Sequence, residues 1–146
     1  MIGVDRSEAM IQAAQDRVSA PLVLGDATTL PIATASVDAV VFVSTLEFLL
    51  EIDAVLAEAT RVLDPEGTLV ALVLNTRSEY VRSNLQREGS YFLRMVHRDT
   101  EALVDTILEY VEGEQEFFLG ISDEQVSEST DPSKAAISAV VGTLPE

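Results

Sequence analysis

Two carboxylates stand where this sequence is best placed to do chemistry. Asp5 closes the short apolar run Met1-Ile2-Gly3-Val4, and Asp26 follows Pro21-Leu22-Val23-Leu24-Gly25. Both runs read as strands, and open α/β sheets bind ligands at the carboxyl ends of their strands. A carboxylate accepts hydrogen bonds at several lone-pair sites, so this pair suits a ligand that offers hydroxyls and an exocyclic amine. Each acid also has a plainer reading. Asp5 can be an acid favoured by the dipole of the helix that opens at Ser7, and Asp26 an ordinary turn residue. Glu47, just past the apolar run Val37 to Val43, is placed to position a nucleophile or take its proton. Asp38 reads as a strand-start turn residue. His97, the only histidine, lies in a loop before a helix, where a structural or solvated role is the commoner one. Tyr80, Tyr91 and Phe92 either line a substrate lid or simply pack. There is no cysteine and no metal-ligand spacing, which excludes disulfides, thiolate metal sites and cysteine nucleophiles. No residue is assigned as catalytic.

The elements that position these residues follow from periodicity. Ser7 to Val18 predicts a helix, with Ser7 as N-cap and Met10, Ile11, Ala14 and Val18 as its apolar stripe. Pro21 to Leu24 and Val37 to Val43 predict strands buried on both faces, the second rich in β-branched residues. Leu50 to Leu63 predicts an amphipathic helix, Asp64-Pro65-Glu66-Gly67 a turn in which Gly tolerates positive φ, and Thr68 to Leu74 a further buried strand. Then come a helix over Ser78 to Glu88, a loop over Gly89 to Arg98, and a helix over Asp99 to Glu112. Strands over Gln115 to Ile121 and Ala135 to Thr143 close the chain, joined by the polar linker Ser122 to Lys134. Alternating strands and helices imply a parallel sheet with right-handed crossovers in one domain spanning residues 1–146.

In this order the segments resemble the class I S-adenosylmethionine-dependent methyltransferases, in their small-molecule branch. Gly3-Val4-Asp5-Arg6-Ser7 followed by Met10 resembles the strand whose terminal acid binds the cofactor ribose. Gly25-Asp26-Ala27 followed by Leu30-Pro31 resembles the adenine-binding turn, whose acid meets the adenine amino group and whose next backbone N–H meets the ring. Ser36-Val37-Asp38-Ala39-Val40 resembles the family's central strand. Arg61-Val62-Leu63-Asp64-Pro65-Glu66-Gly67 resembles the helix end and turn before its fifth strand. The resemblance implies an α/β, Rossmann-like, mostly parallel sheet with an antiparallel last strand. It also implies S-adenosylmethionine as cofactor, a small-molecule methyl acceptor as substrate, and Asp5, Arg6, Asp26, Ala27 and Ser44 as cofactor-binding residues. Methyl transfer to an already nucleophilic acceptor needs mainly alignment, so no universal catalytic residue is expected.

The family's first strand, its G-x-G-x-G loop and the following helix would need about 30 residues before Ile2. Without them the Val4 and Val40 strands would flank a vacant position, roughly 9–10 Å apart. Each unpaired edge group would cost about 1–3 kcal/mol if dry, against a whole-domain stability of about 5–15 kcal/mol. Three outcomes are open: the strands pair directly, a homodimer or partner chain fills the slot, or the natural chain starts earlier. The last is the expectation. An N-terminally truncated domain would keep the acids for the adenosine half of the cofactor and lack the loop for the methionine half. It would bind S-adenosylmethionine weakly or not at all, and an extended form would bind it well. Two other classes compete. One is a non-catalytic remnant or interaction module; the other is a nicotinamide-binding Rossmann domain, which predicts neither the turn at Asp26 nor the antiparallel ending.

Composition narrows the setting. A chain of 146 residues, 47% hydrophobic, is long enough for one proper core. No apolar run approaches the ~18 residues of a membrane span, and Asp5, Arg6 and Glu8 interrupt any leader, so no membrane and a cytoplasmic location are expected. Asp and Glu number 25 against 9 Lys and Arg, a formal net charge of −16, and Lys134 is the only lysine. Such a surface repels nucleic acid. Acid excess with almost no lysine resembles proteins of extreme halophiles, against the blander reading of a merely acidic protein. The self-repulsion is screened by salt. The melting temperature is therefore expected to rise from dilute buffer to molar KCl; a flat or falling series would rule out salt adaptation.

Overall fold

The computed structural model describes all residues, Met1 to Glu146. The chain opens with β1 (Gly3–Asp5), α1 (Glu8–Gln15) and β2 (Leu22–Leu24). It continues with β3 (Val37–Val43), a 3₁₀ turn Leu46–Phe48, α2 (Ile52–Val62) and β4 (Leu63–Leu74). After α3 (Glu79–Gln86), a 3₁₀ turn Tyr91–Arg94 and α4 (Thr100–Leu108), it ends with β5 (Glu112–Ser122), β6 (Gln125–Ser127) and β7 (Ala135–Thr143). Helix starts follow local chemistry. Ser7, Ser78 and Asp99 each accept a backbone N–H of the first turn, from Met10, Val81 and Ala102 at 3.3, 3.3 and 3.1 Å.

The strands form two sheets. β1 and β2 pair in parallel, with Asp5 opposite Leu24. The other sheet has the order β3-β4-β7-β5-β6. Its β3 and β4 are parallel, and β7 lies antiparallel between β4 and β5. β3, β4 and β5 thus run one way and the closing strand the other, the α/β arrangement with an antiparallel last strand. One face of this sheet holds the core: Val55, Leu56 and Ala59 of α2 and Val104 and Ile107 of α4 pack on Leu69, Ala71 and Val73 of β4. A smaller cluster beneath α3 joins Leu74, Val81 and Met95 to Phe48, Tyr80 and Phe92.

Several sequence expectations need correction. Of the three outcomes left open for the first strand, direct pairing is not adopted: β1 and β3 belong to different sheets. For that reason the strands expected to be buried on both faces are not. Leu24 of β2 is 57% exposed, and Val41 and Val43 of β3 are 59% exposed. Val41 lies beside the half-buried Val70, which lies beside Val141, itself exposed, so an apolar row crosses three strands and is exposed at both ends. Met10 and Val18 are exposed too; only Ile11 of the α1 stripe is buried, because two short strands offer the helix little surface. Asp64 to Gly67 is no separate turn but a bulge inside β4, where Val37 faces Leu63 and Ala39 faces Thr68. Gly67 has no positive φ, and what it answers is crowding: an added Cβ would stand 2.6 Å from Leu63 Cδ1. The linker Ser122 to Lys134 contains β6, reached through Asp123 and Glu124 at φ of 47° and 64°.

What ties the β1–β2 pair to the larger sheet is the segment from Gly25 to Ser36, held by α2. Glu58 Oε2 accepts the Leu30 N–H at 2.7 Å. Arg61 donates to both Glu58 oxygens, at 2.6 and 2.9 Å, to the Ile32 carbonyl at 3.0 Å and to Thr34 Oγ1 at 3.0 Å. The Ala35 and Ser36 N–H groups donate to the Arg61 and Val62 carbonyls at 2.9 and 2.8 Å. The Arg61 hydrogen bonds first, and then the Leu30 N–H, hold the Glu58 carboxyl below its ordinary pKa. A carboxyl lowered in the folded state stabilises it above the ordinary glutamate range, and that stabilisation is lost as pH falls through the lowered value.

The free edge of β3 makes a sharp expectation. Ser44 N–H donates to Leu72 O at 2.8 Å, so by the two-residue period the N–H groups of Phe42 and Val40 face β4, and those of Val41 and Val43 face the vacant side. In native-state hydrogen exchange Phe42 and Ser44 should be protected and Val41 and Val43 fast. Equal protection across all four would show that a strand occupies the edge.

Candidate functional site

Asp5 and Asp26 end adjacent parallel strands, and the Gly25 N–H bonds the Asp5 carbonyl at 3.0 Å. Each side chain is fixed by one oxygen. Asp5 Oδ1 accepts the Ser7 N–H at 2.8 Å. Asp26 Oδ1 accepts the Thr28 N–H at 2.8 Å and the Thr28 hydroxyl at 2.7 Å. The Oδ2 of each makes no hydrogen bond within the protein. The plainer readings of the two acids, helix-start acid and turn residue, therefore describe their Oδ1 atoms and leave the second oxygens unused. The Thr28 N–H, then its hydroxyl, then the nearby Arg6 charge, hold Asp26 below the usual carboxylate range, so it is ionised at neutral pH. Gly25 is closely packed: a Cβ there would meet Pro31 Cδ at 3.1 Å and Val4 Cγ1 at 3.2 Å, so those side chains would have to give by a few tenths of an ångström. Ala27 is anchored in the main core. The structure thus brings Asp5, Arg6, Asp26 and Ala27 together at one strand end.

Ser44 stands apart, at the exit of β3. It adopts φ of 45°, a left-handed conformation that costs a residue with a Cβ energy and recurs at functional sites. It is the one non-hydrophobic residue lining a cleft of about 230 Å³ at the carboxyl ends of β3 and β4. Phe48, Leu74, Tyr80, Tyr91 and Phe92 supply much of the rest. The Phe48 and Tyr91 rings are 4.9 Å apart and those of Tyr80 and Phe92 6.0 Å. The aromatic residues thus do both things expected of them, packing on one another and lining a cavity.

Glu47 is fully buried. Its Oε1 accepts the Leu74 N–H at 2.9 Å, and its carbonyl accepts the Val96 and His97 N–H groups at 2.8 and 3.0 Å. Glu47 therefore pins the end of β4 to the loop before α4. Its Oε2 has no partner. Burial pushes the carboxyl up, outweighing the backbone N–H bonds and the His97 charge that lower it. His97 bonds the Leu49 carbonyl through Nε2 at 2.7 Å, a structural contact. Sequence reasoning missed Glu58 and Arg61 as supports of the site; their three-residue spacing on α2 was the available signal.

Comparison with known proteins now bears on this geometry. The family described as "Methyltransferase domain" matches residues 1–71. A SAM-dependent methyltransferase from Thermotoga maritima, described as a possible histamine N-methyltransferase, is 25% identical. It superposes with a TM-score of 0.81 over 97% of this chain and 72% of that one. The chain thus has the fold of S-adenosylmethionine-dependent methyltransferases, and its first 71 residues match a methyltransferase family. Two further structures share the methyltransferase fold. A putative methyltransferase from Haloferax volcanii, solved with a methyltransferase activator, is 21% identical with a TM-score of 0.72 over 99% of this chain and 72% of that one. A SAM-dependent methyltransferase from Archaeoglobus fulgidus is 17% identical with a TM-score of 0.71 over 97% and 75%. No curated protein matches. No helix of this chain is long and apolar enough to cross a membrane.

The raised Glu47 carboxyl makes a pH prediction. Its favourable contribution is complete below the ordinary glutamate pKa and is lost as pH rises through the raised folded value. Glu47→Gln keeps an acceptor for Leu74 and removes the ionisation. The wild-type melting temperature should fall relative to that of Glu47→Gln as pH rises, and parallel curves would contradict this.

Proposed function

We propose that this chain carries the adenosine half of an S-adenosylmethionine site and serves methyl transfer to a small molecule. The observation that carries the reading is the pair Asp5 and Asp26, each held by Oδ1 with Oδ2 unpartnered, beside the close-packed Gly25. Two carboxylate acceptors fit the ribose hydroxyls and the adenine amine of the cofactor. The Thr28 N–H and hydroxyl, with Arg6 nearby, keep Asp26 ionised, and the Ala27 N–H is the donor for the ring. Ser44 stands at the exit of β3, between that strand and the acceptor cleft. When bound, S-adenosylmethionine supplies an electrophilic methyl group. The chain's own part is to orient donor and acceptor and to exclude water around them. The description of the Thermotoga maritima protein as a possible histamine N-methyltransferase supports a small acceptor here. The net charge of −16 argues against nucleic acid as substrate and accords with a salt-adapted cytoplasmic setting.

A second element of this reading concerns a partner. The unpaired edges of β1 and β3 and the exposed Val41 and Val43 support a strand from a second copy or another chain seated between the two sheets. Such a strand would satisfy both edges. The Haloferax volcanii structure, a methyltransferase in complex with an activator, supports a partner for this fold.

Side-by-side calorimetric titration with adenosine and S-adenosylmethionine tests the cofactor assignment. Weak binding is expected, with S-adenosylmethionine no more than about threefold tighter than adenosine. Asp5→Asn and Asp26→Asn should each weaken both ligands, since a hydrogen bond to a charged group contributes about 1.5–3 kcal/mol. Adenosine binding that ignores both substitutions would overturn the assignment.

A further inference from the structure

We infer that the cleft between the ends of β3 and β4 and the segment from Tyr80 to Phe92 takes a flat, uncharged aromatic molecule. This deepens the methyl-transfer reading and rests on it for the role of that molecule as methyl acceptor. The cleft has about 230 Å³, and eight of its nine lining residues are hydrophobic. Four of them are aromatic: Phe48, Tyr80, Tyr91 and Phe92. Their mutual geometry, one tilted pair at 4.9 Å and one edge-on pair at 6.0 Å, offers ring faces and edges at differing angles, the arrangement in which a planar ring packs best.

Charge decides between classes of ring. No Asp, Glu, Lys, Arg or His lines the cleft, so a charged group held inside it would be desolvated without compensation. Aromatic faces also draw cations, but the Arg94 guanidinium already stands 5.3 Å from the centre of the Tyr91 ring. A ligand cation there would meet a like charge. Ser44 provides the cleft's single non-aromatic hydroxyl, at the exit of β3 in its left-handed conformation. A phenol-like hydroxyl on the ligand matches it, since both groups donate and accept.

Three naphthalene probes of one size separate the possibilities: naphthol, naphthoate and naphthylmethylammonium, each titrated calorimetrically at low and high salt. Naphthol should bind at least about tenfold more tightly than either charged probe. Tyr91 is 59% exposed, so Tyr91→Lys introduces a cation at the cleft without emptying the core. It should weaken naphthol about tenfold while Tyr91→Phe keeps binding, and Val18→Lys, exposed beyond α1 and outside the cleft lining, should change nothing. Ile121→Arg, on the opposite wall, serves if Tyr91→Lys melts early. Equal or tighter binding of a charged probe, no naphthol binding, or binding indifferent to both cleft substitutions would overturn the inference. The outcome is read without cofactor. Naphthol binding beside absent adenosine binding would support the cleft and refute the cofactor site, whereas the reverse would refute the cleft alone.

Discussion

The Glu58–Arg61 pair holds this molecule together as one functional unit. β1, α1 and β2 share no strand pairing with the rest of the chain. Their connection runs through the Gly25–Ser36 segment, and α2 grips that segment with one carboxylate and one guanidinium. Each group is used several times: Glu58 takes the Leu30 N–H while bonded to Arg61, and Arg61 also takes Ile32 and Thr34. A polar grip suits this place because the segment is irregular, and its backbone groups need partners that no ladder provides. The site depends on it: Gly25, Asp26 and Ala27 lie at one end of the gripped segment, and its other end leads into β3, whose far end opens on the cleft.

The free β3 edge is the complementary feature. A strand with one unpaired edge and two half-exposed valines is an invitation to another strand. In this chain the acidic surface opposes promiscuous pairing, since a net charge of −16 sets copies against one another in dilute buffer. Salt relaxes that opposition.

Much of the fold was legible in the residues. Val37 to Val43 and Ala135 to Thr143 are strands with the expected bounds, because β-branched runs flanked by turn residues have few alternatives. Ser7 and Asp99 cap their helices as their chemistry requires. The misses share one cause. Burial of Leu24, Val41 and Met10 was inferred from their apolarity, yet burial needs a neighbouring surface, which a local pattern cannot supply. The Asp64–Gly67 bulge and the β6 strand were hidden because Pro, Gly and polar residues read as loop even where pairing overrides them. For the site, Asp5 and Asp26 were visible as acids ending apolar runs. Ser44 was correctly placed beyond β3, but its separation from the other four is a property of tertiary arrangement. Glu47 was noticed for its position; its burial against Leu74 turns a candidate proton acceptor into a pin between strand and loop.

The central claim is that the strand ends of β1 and β2 form a nucleoside site whose shape is transmitted to the larger sheet through the Glu58–Arg61 grip. Mapping of backbone amide resonances during titration with adenosine tests it most directly. The largest shifts should fall on Arg6, Asp26 and Ala27, with a smaller response at Leu30, whose N–H sits on Glu58. Shifts confined to other surfaces, or none at the ends of β1 and β2, would contradict it.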